Sequence, residues 1–165
     1  MPQQDLETRI QNLEDIEAIK QLMFNYTYWL DYGEFDTALD CFTNDAKMDV
    51  RQRGGAQEGQ DSFEFTCAGK EEIRNFYGLF IHQRERFTAS HFLLNPVVTV
   101  DGEKATGIFY LLEPTALQRA IWGHGRYDLE FVKLDGQWKI SIFNFEWNFN
   151  SPQDEGWVKT PMVIL

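Results

Sequence analysis

His91 is the residue in this chain whose type and setting most suggest chemistry. On an extended strand it shares a face with Phe87, Ala89 and Leu93, an otherwise apolar set. A buried imidazole must find a hydrogen-bond partner. Two readings stay open. His91 is a satisfied core histidine, or it is a general acid/base held by a carboxylate, which fixes its tautomer and raises its basicity. Asp31 is the carboxylate of interest. It sits in the last turn of the first helical pattern, where the helix dipole disfavours a negative charge by about 0.3–1 kcal/mol. An acid set there among Tyr26, Tyr28, Trp29 and Tyr32 either bends into solvent or serves something other than stability. The chain has only two other histidines. His82 ends the third helix among charged residues and reads as a solvated terminal cation. His124 lies in Trp122-Gly123-His124-Gly125-Arg126 and shares parity with Asp128 and Glu130, which favours an outward side chain. Its flanking glycines could also shape a pocket wall or a bulge, which keeps it a candidate.

Much other chemistry is excluded. No His-Glu-x-x-His or local two-histidine, one-carboxylate spacing suggests a metal. No phosphate-cradling glycine loop, dinucleotide fingerprint or Gly-x-Ser-x-Gly elbow occurs. Cys41 and Cys67 have no metal-ligand spacing and read as reduced thiols. The net charge of −11 argues against nucleic acid and against an anionic membrane surface. No apolar run reaches a membrane span. The polar start Met1-Pro2-Gln3-Gln4-Asp5 lacks the pattern of a signal peptide, so a cytoplasmic location is expected. What remains is one His, one Asp and several Tyr near apolar surface. That set suits proton transfer without cofactor or metal: elimination, hydration or isomerisation.

The elements that must position these residues read as helices first and strands afterwards. A chain of 165 residues is one compact domain, 1–165, and its 15 % aromatic content suits a large core or an apolar pocket. Residues 5–32 read as helix, with Leu13, Ile16, Lys20, Met23, Thr27 and Leu30 at helical spacing and Gly33 as the stop. Phe35, Leu39 and Phe42 mark a short second helix. Lys47 to Arg53 is a strand, followed by a polar glycine-rich loop to Ser62, a lid or an exposed connection. Phe63 to Thr66 is a short strand. Gly69-Lys70-Glu71-Glu72 opens a third helix with Ile73, Phe76, Tyr77 and Phe80 on one face. Strands follow from Phe87 to Val100, kinked at Asn95-Pro96, then Ala105 to Glu113, Ala120 to Leu134 and Gln137 to Asn150. Asp101-Gly102 and Asp135-Gly136 are hairpin turns. The last strand changes parity between Ile142 and Phe143, which predicts a bulge there or a strand whose two ends pack against different layers. Helices covering one face of a strongly curved sheet leave a cavity between the layers. The apolar tail 157–165 is expected over the cavity mouth or against another subunit.

Several motifs resemble the SnoaL-like families of the nuclear transport factor 2-like superfamily. They are Asp15-Ile16-Glu17-Ala18-Ile19-Lys20, Tyr26-x-x-x-x-Asp31, Gly33-x-Phe35-Asp36, Gly69-Lys70-Glu71-Glu72-Ile73, Ser90-His91-Phe92-x-x-Asn95-Pro96-Val97-Val98 and Asp135-Gly136-Gln137-Trp138-Lys139-Ile140. The resemblance implies an α+β fold: a cone-shaped α+β barrel, with three N-terminal helices on a highly curved, mostly antiparallel sheet enclosing one cavity. In motif the chain is most similar to the scytalone dehydratase and bile-acid 7α-dehydratase type enzymes, and lindane dehydrochlorinase has the same layout. By that resemblance His91 is the base, Asp31 its partner and Tyr26 the hydroxyl donor. Tyr28, Tyr110, His124, Asn144, Phe145 and Trp147 are the expected substrate contacts. The implied function is a cofactor-independent dehydratase-type lyase or isomerase, a homo-oligomeric dimer or trimer acting on a mostly apolar cyclic or aromatic small molecule. The alternative is a ligand-binding module or the small subunit of a ring-hydroxylating dioxygenase. Trp147 stands where bile-acid dehydratases carry an Arg, which speaks against a carboxylate-bearing substrate.

Overall fold

A computed structural model of the chain describes residues 6–52, 64–81, 88–116, 119–160 and 162. The long first helix, α1, spans Leu6–Tyr32. Gly33 ends it with φ of 71°, a conformation that costs glycine little. The end is a Schellman motif: Glu34 N–H donates to Trp29 O at 2.7 Å and Gly33 N–H to Leu30 O at 3.0 Å. The buried stripe of α1 runs through Asp15, Ile19, Met23, Tyr26 and Thr27; the expected Met23 and Thr27 belong to it, but the expected Leu13 is 66 % exposed. Asp15 is the reason. It accepts hydrogen bonds from Lys133 Nζ at 2.6 Å and Trp138 Nε1 at 2.9 Å, tying α1 to the last hairpin. Burial pushes its pKa up, but these bonds and one from Gln11 outweigh that and hold it below the usual carboxylate value.

Helix α2 is Phe35–Leu39 and helix α3 is Lys70–Ile81. Phe42 does not continue α2 as expected. The chain turns at Asp40-Cys41, and Phe42 opens β1, Phe42–Gln52, where its ring packs edge-on against Tyr26. Strand β2 is Glu64–Ala68, β3 is Thr88–Ala89, β4 is Phe92–Asp101 and β5 is Lys104–Ala116. Strands β6, Ala120–Leu134, and β7, Gln137–Pro152, complete the sheet. The order is β2-β1-β7-β6-β5-β3, with β4 also on β5. Strands β3 and β4 keep one register along β5, Ala89 opposite Thr115 and Phe92 opposite Leu112, so they form a single broken rank. The expected kink at Asn95-Pro96 is a register shift between Leu94 and Val97, with Asn95 at φ 49°. All pairings are antiparallel except β1 with β7. Among the described residues the sheet is open, so the α+β cone is curved but not a closed barrel.

The parity change in β7 comes from the first of the two expected causes, a bulge. Glu130 pairs with Ile142 but Phe131 pairs with Ile140, leaving Ser141 as the extra residue. Trp138 and Ile140 before the bulge, and Phe143 and Phe145 after it, all face the core. The tail returns to the sheet: Trp157 stacks on Phe149 at 4.9 Å, and Met162 bridges Asn150. The loop 53–62, expected as a lid or an exposed connection, the strand start at Phe63, and His82 lie outside the described residues.

Candidate active site

A cavity of about 270 Å³ lies between the helices and the inner face of the sheet. Its wall is largely aromatic, with Phe76 and Tyr77 from α3, Tyr127 from β6, and Phe143, Phe145 and Trp147 from β7. Two glycines of β6 make room for these rings. A Cβ at Gly123 would lie 2.7 Å from the Trp147 ring, and one at Gly125 would lie 2.2 Å from the Phe145 ring. The Gly-x-Gly spacing around His124 therefore does shape the wall, although His124 itself points away from it.

Asp31 and His91 meet at the cavity wall. The Schellman end of α1 fixes Asp31, and the break between β3 and β4 frees His91. In an antiparallel ladder alternate residues turn their N–H groups away from the partner strand. Ser90 N–H donates to Pro114 O at 3.2 Å, so His91 N–H faces outward from the sheet edge. Pro114 has no N–H to return a bond to Ser90, which weakens the ladder at this point. An edge N–H needs a partner, and Asp31 supplies it. His91 N–H donates to the Asp31 carboxylate at 3.1 and 3.2 Å, and Asp31 Oδ1 lies 2.5 Å from His91 Nδ1. The two side chains are 22 % and 15 % exposed respectively. With Nδ1 turned to a carboxylate, Nε2 is the nitrogen left to face the cavity.

Glu113 is a member of the wall not anticipated from the sequence. Its Oε2 lies 3.8 Å from His91 Nε2, and Thr115 Oγ1 donates to its Oε1 at 2.9 Å. The signal was present in strand parity, because Glu113 alternates inward with Phe109 and Leu111. Burial pushes the His91 pKa down, but the Glu113 charge and then the Asp31 hydrogen bond and charge push it up. The net result lies above the usual 6.5.

Tyr26 and Tyr77 form a second polar pair, their hydroxyls 2.5 Å apart. Burial raises both pKa values far above the ordinary phenol value, so each stays a neutral donor. Tyr26 and Asp31 are five residues apart, about 140° round an ideal helix, yet both line the cavity, which wraps the end of α1. Leu30 and Asn150 also line the cavity.

Phe145 and Trp147 line the cavity as expected, but four other expected contacts do not. Tyr28 is 57 % exposed and packs on Tyr32, because it lies on the opposite side of α1 from the core. Asn144 is exposed, since it alternates with the buried Phe143 and Phe145. Tyr110 and His124 belong to the outer face of β5 and β6. There their rings stack at 5.6 Å, and His124 also stacks on Phe149 at 5.4 Å and contacts Asn148 Nδ2 through Nδ1 at 3.0 Å. Burial lowers the His124 pKa. Cys41 and Cys67 are free and buried, and burial pushes their thiols up to about 12 and about 11, which disfavours nucleophilic thiolates. Among the described residues no group of three or more His, Cys, Asp or Glu side chains is placed to hold a metal ion. No helix among them is long and apolar enough to cross a membrane.

Residues 11–144 match the SnoaL-like domain. No curated protein matches the chain significantly. Among solved structures, a scytalone dehydratase-like protein from Novosphingobium aromaticivorans aligns at TM-score 0.68 and 21 % identity, over 86 % of this chain and 89 % of that one. The hexachlorocyclohexane dehydrochlorinase LinA-type3 from Novosphingobium barchaimii aligns at TM-score 0.70 and 21 % identity, over 87 % and 93 %. The beta subunit of a candidate aromatic-ring-hydroxylating dioxygenase, also from N. aromaticivorans, aligns at TM-score 0.67 and 16 % identity, over 82 % and 90 %. At these identities the likeness is one of fold.

Proposed function

This chain belongs to the SnoaL-like domain family, and on that premise we propose that it is a cofactor-independent lyase or isomerase of the dehydratase type. The observation that carries the reading is the Asp31–His91 pair, with Nδ1 held at 2.5 Å and Nε2 facing an aromatic cavity. His91 Nε2 removes a proton from the carbon next to a carbonyl group. Asp31 keeps the Nδ1–H tautomer and stabilises the imidazolium that forms. Tyr26, supported by Tyr77, donates a hydrogen bond to the carbonyl oxygen as negative charge develops there. The fold shared with a dehydratase-like protein and a dehydrochlorinase is consistent with elimination chemistry.

The substrate is a small, uncharged, mostly apolar ring compound. A cavity of about 270 Å³ is near the lower end of small-molecule pockets, about 300–1,000 Å³. Asp31 and Glu113 line it, and no Lys or Arg is among the described lining residues, so an anionic group would meet two acids with only His91 to oppose them. The test is proton exchange. Cyclohexanone in deuterated buffer should exchange its α-protons faster with the protein than without it, followed by proton NMR, and His91→Ala should abolish the acceleration. Exchange that survives in His91→Ala refutes the role of the base. Copurification with a large dioxygenase subunit, together with no exchange by the wild type, would favour the subunit reading.

A further inference from the structure

When the C–H and C–O bonds break together, the departing hydroxyl needs a proton while His91 Nε2 is still taking one from carbon, so a second group must act as the acid. Glu113 stands on the other side of the His91 ring from Asp31. Its side chain is 9 % exposed, and its Oε2 lies 3.8 Å from Nε2, too far for a direct hydrogen bond but close enough for both atoms to touch neighbouring groups of one bound molecule. Thr115 donates to Oε1 at 2.9 Å, which leaves Oε2 as the oxygen free to exchange a proton with a group in the cavity. We propose that Glu113 is the general acid of this site, delivering its Oε2 proton to a departing hydroxyl while His91 Nε2 takes the proton from the adjacent carbon. The inference rests on the proton-transfer role of His91 proposed above.

The step balances within the site. Nε2 and Oε2 share one proton, and the tautomer that reacts is the one with that proton on Oε2 and Nε2 free. The C–H bond beside the carbonyl breaks, its proton goes to Nε2, and its electron pair becomes the new C=C bond. The C–O bond at the next carbon breaks with its electron pair on oxygen, which takes the Oε2 proton and leaves as water. An imidazolium then faces a carboxylate across 3.8 Å, and the released water relays one proton from Nε2 to Oε2, which restores the reactive tautomer. The substrate class follows: a cyclic β-hydroxy ketone. So does the stereochemistry. Acid and base 3.8 Å apart act on one face of the ring, so proton and hydroxyl leave syn. An anti course would need the two groups on opposite faces of the substrate.

The experiment compares the full-length wild type with Glu113→Gln and Glu113→Asp. The probes are cyclohexanone, which can exchange α-protons but has no leaving group, and 3-hydroxycyclohexanone deuterated at C2 either cis or trans to the hydroxyl. The wild type should eliminate water, with deuterium lost from the cis-labelled compound and kept in the trans-labelled one. Glu113→Gln should lower the ratio of elimination to exchange by about 10²-fold or more, the scale of one general acid. Glu113→Asp should recover part of that ratio. The proposal is overturned by loss of the trans deuterium, by an unchanged ratio in Glu113→Gln, or by a variant that loses exchange and elimination together, which would mark Glu113 as a positioning residue for His91. It is also overturned if the wild type exchanges cyclohexanone but eliminates nothing, an outcome that leaves the dyad reading intact. If the wild type does neither, the dyad reading fails and the acid role with it.

Discussion

Replacing Asp31 with Asn keeps the size of the side chain and removes its charge. The carboxylate accepts from two His91 donors, the backbone N–H at 3.1–3.2 Å and Nδ1 at 2.5 Å. An amide has one acceptor oxygen, so one donor loses its partner or faces an NH₂ group. A hydrogen bond to a charged group contributes about 1.5–3 kcal/mol. The Nδ1 bond matters most when His91 becomes an imidazolium, so nearly all of that amount is lost from the transition state. This corresponds to roughly a 10- to 150-fold slower proton abstraction. The assay is α-proton exchange of cyclohexanone, paired with NMR titration of the His91 ring. The ring pKa, held above 6.5 by Glu113 and Asp31 against burial, should fall in the variant. The linked effect on stability has a definite sign. A histidine whose folded pKa is raised stabilises the fold fully below its unfolded pKa and loses that contribution as pH rises through the folded value. The stability gap between wild type and Asp31→Asn should therefore be largest below pH 6.5 and shrink above it. Exchange within about threefold of wild type, or a gap that widens with rising pH, would refute the reasoning.

Other outcomes follow from the same geometry. Tyr26→Phe should slow exchange by roughly 10²-fold, the low end of one lost oxyanion donor, and a rate equal to wild type would remove Tyr26 from the mechanism. In pH–rate profiles of exchange the acid limb should lie above 6.5, because neutral His91 is the active base, and Glu113→Gln should move that limb to lower pH. Gly125→Ala sets a Cβ against the Phe145 ring and 2.8 Å from Glu146 O, so it should destabilise the fold by about 1–3 kcal/mol in chemical denaturation. Asp15→Ala strands Lys133 and the Trp138 N–H and should lower stability by about 3 kcal/mol at neutral pH.

The parts of this site that the sequence made legible are those governed by local rules. Gly33 stops α1 where a residue of positive φ is required, and so sets the position of Asp31. The switch of apolar parity in β7 located the bulge to within two residues, because side chains alternate strictly across a sheet. The same rule, applied to β5, places Glu113 inward, and applied to β7 it places Asn144 outward. Those two assignments depended on reading parity strand by strand, not on residue type. Tyr28 and Tyr110 were misplaced for that reason: an aromatic hydroxyl suits a substrate site, but the faces of α1 and β5 that carry them point away from the cavity. The place of Asp15 in the α1 stripe was not legible. It depends on Lys133 and Trp138, more than a hundred residues away, which make an acid a better core residue than Leu13.

The meeting of Asp31 and His91 shows how a backbone requirement can build a site. Strand β4 lies at a sheet edge, and edge strands carry N–H groups without ladder partners. Pro114 weakens the ladder next to His91, and the Schellman turn brings the last acid of α1 to that edge. Asp31 then meets two needs at once. It satisfies the His91 N–H, and the same carboxylate orients the imidazole. The helix dipole disfavours an acid at this helix end by about 0.3–1 kcal/mol, a smaller amount than the about 1.5–3 kcal/mol of one charged hydrogen bond. The net balance therefore favours Asp31 against the strand and not in solvent. Because the clamp is fastened to the main chain of His91, the ring stays directed with Nε2 toward Glu113 and the cavity even without a ligand. Preorganisation here comes from the edge of the sheet, with the aromatic wall supplying the dry surroundings in which a proton transfer between Nε2 and a carbon acid is favoured.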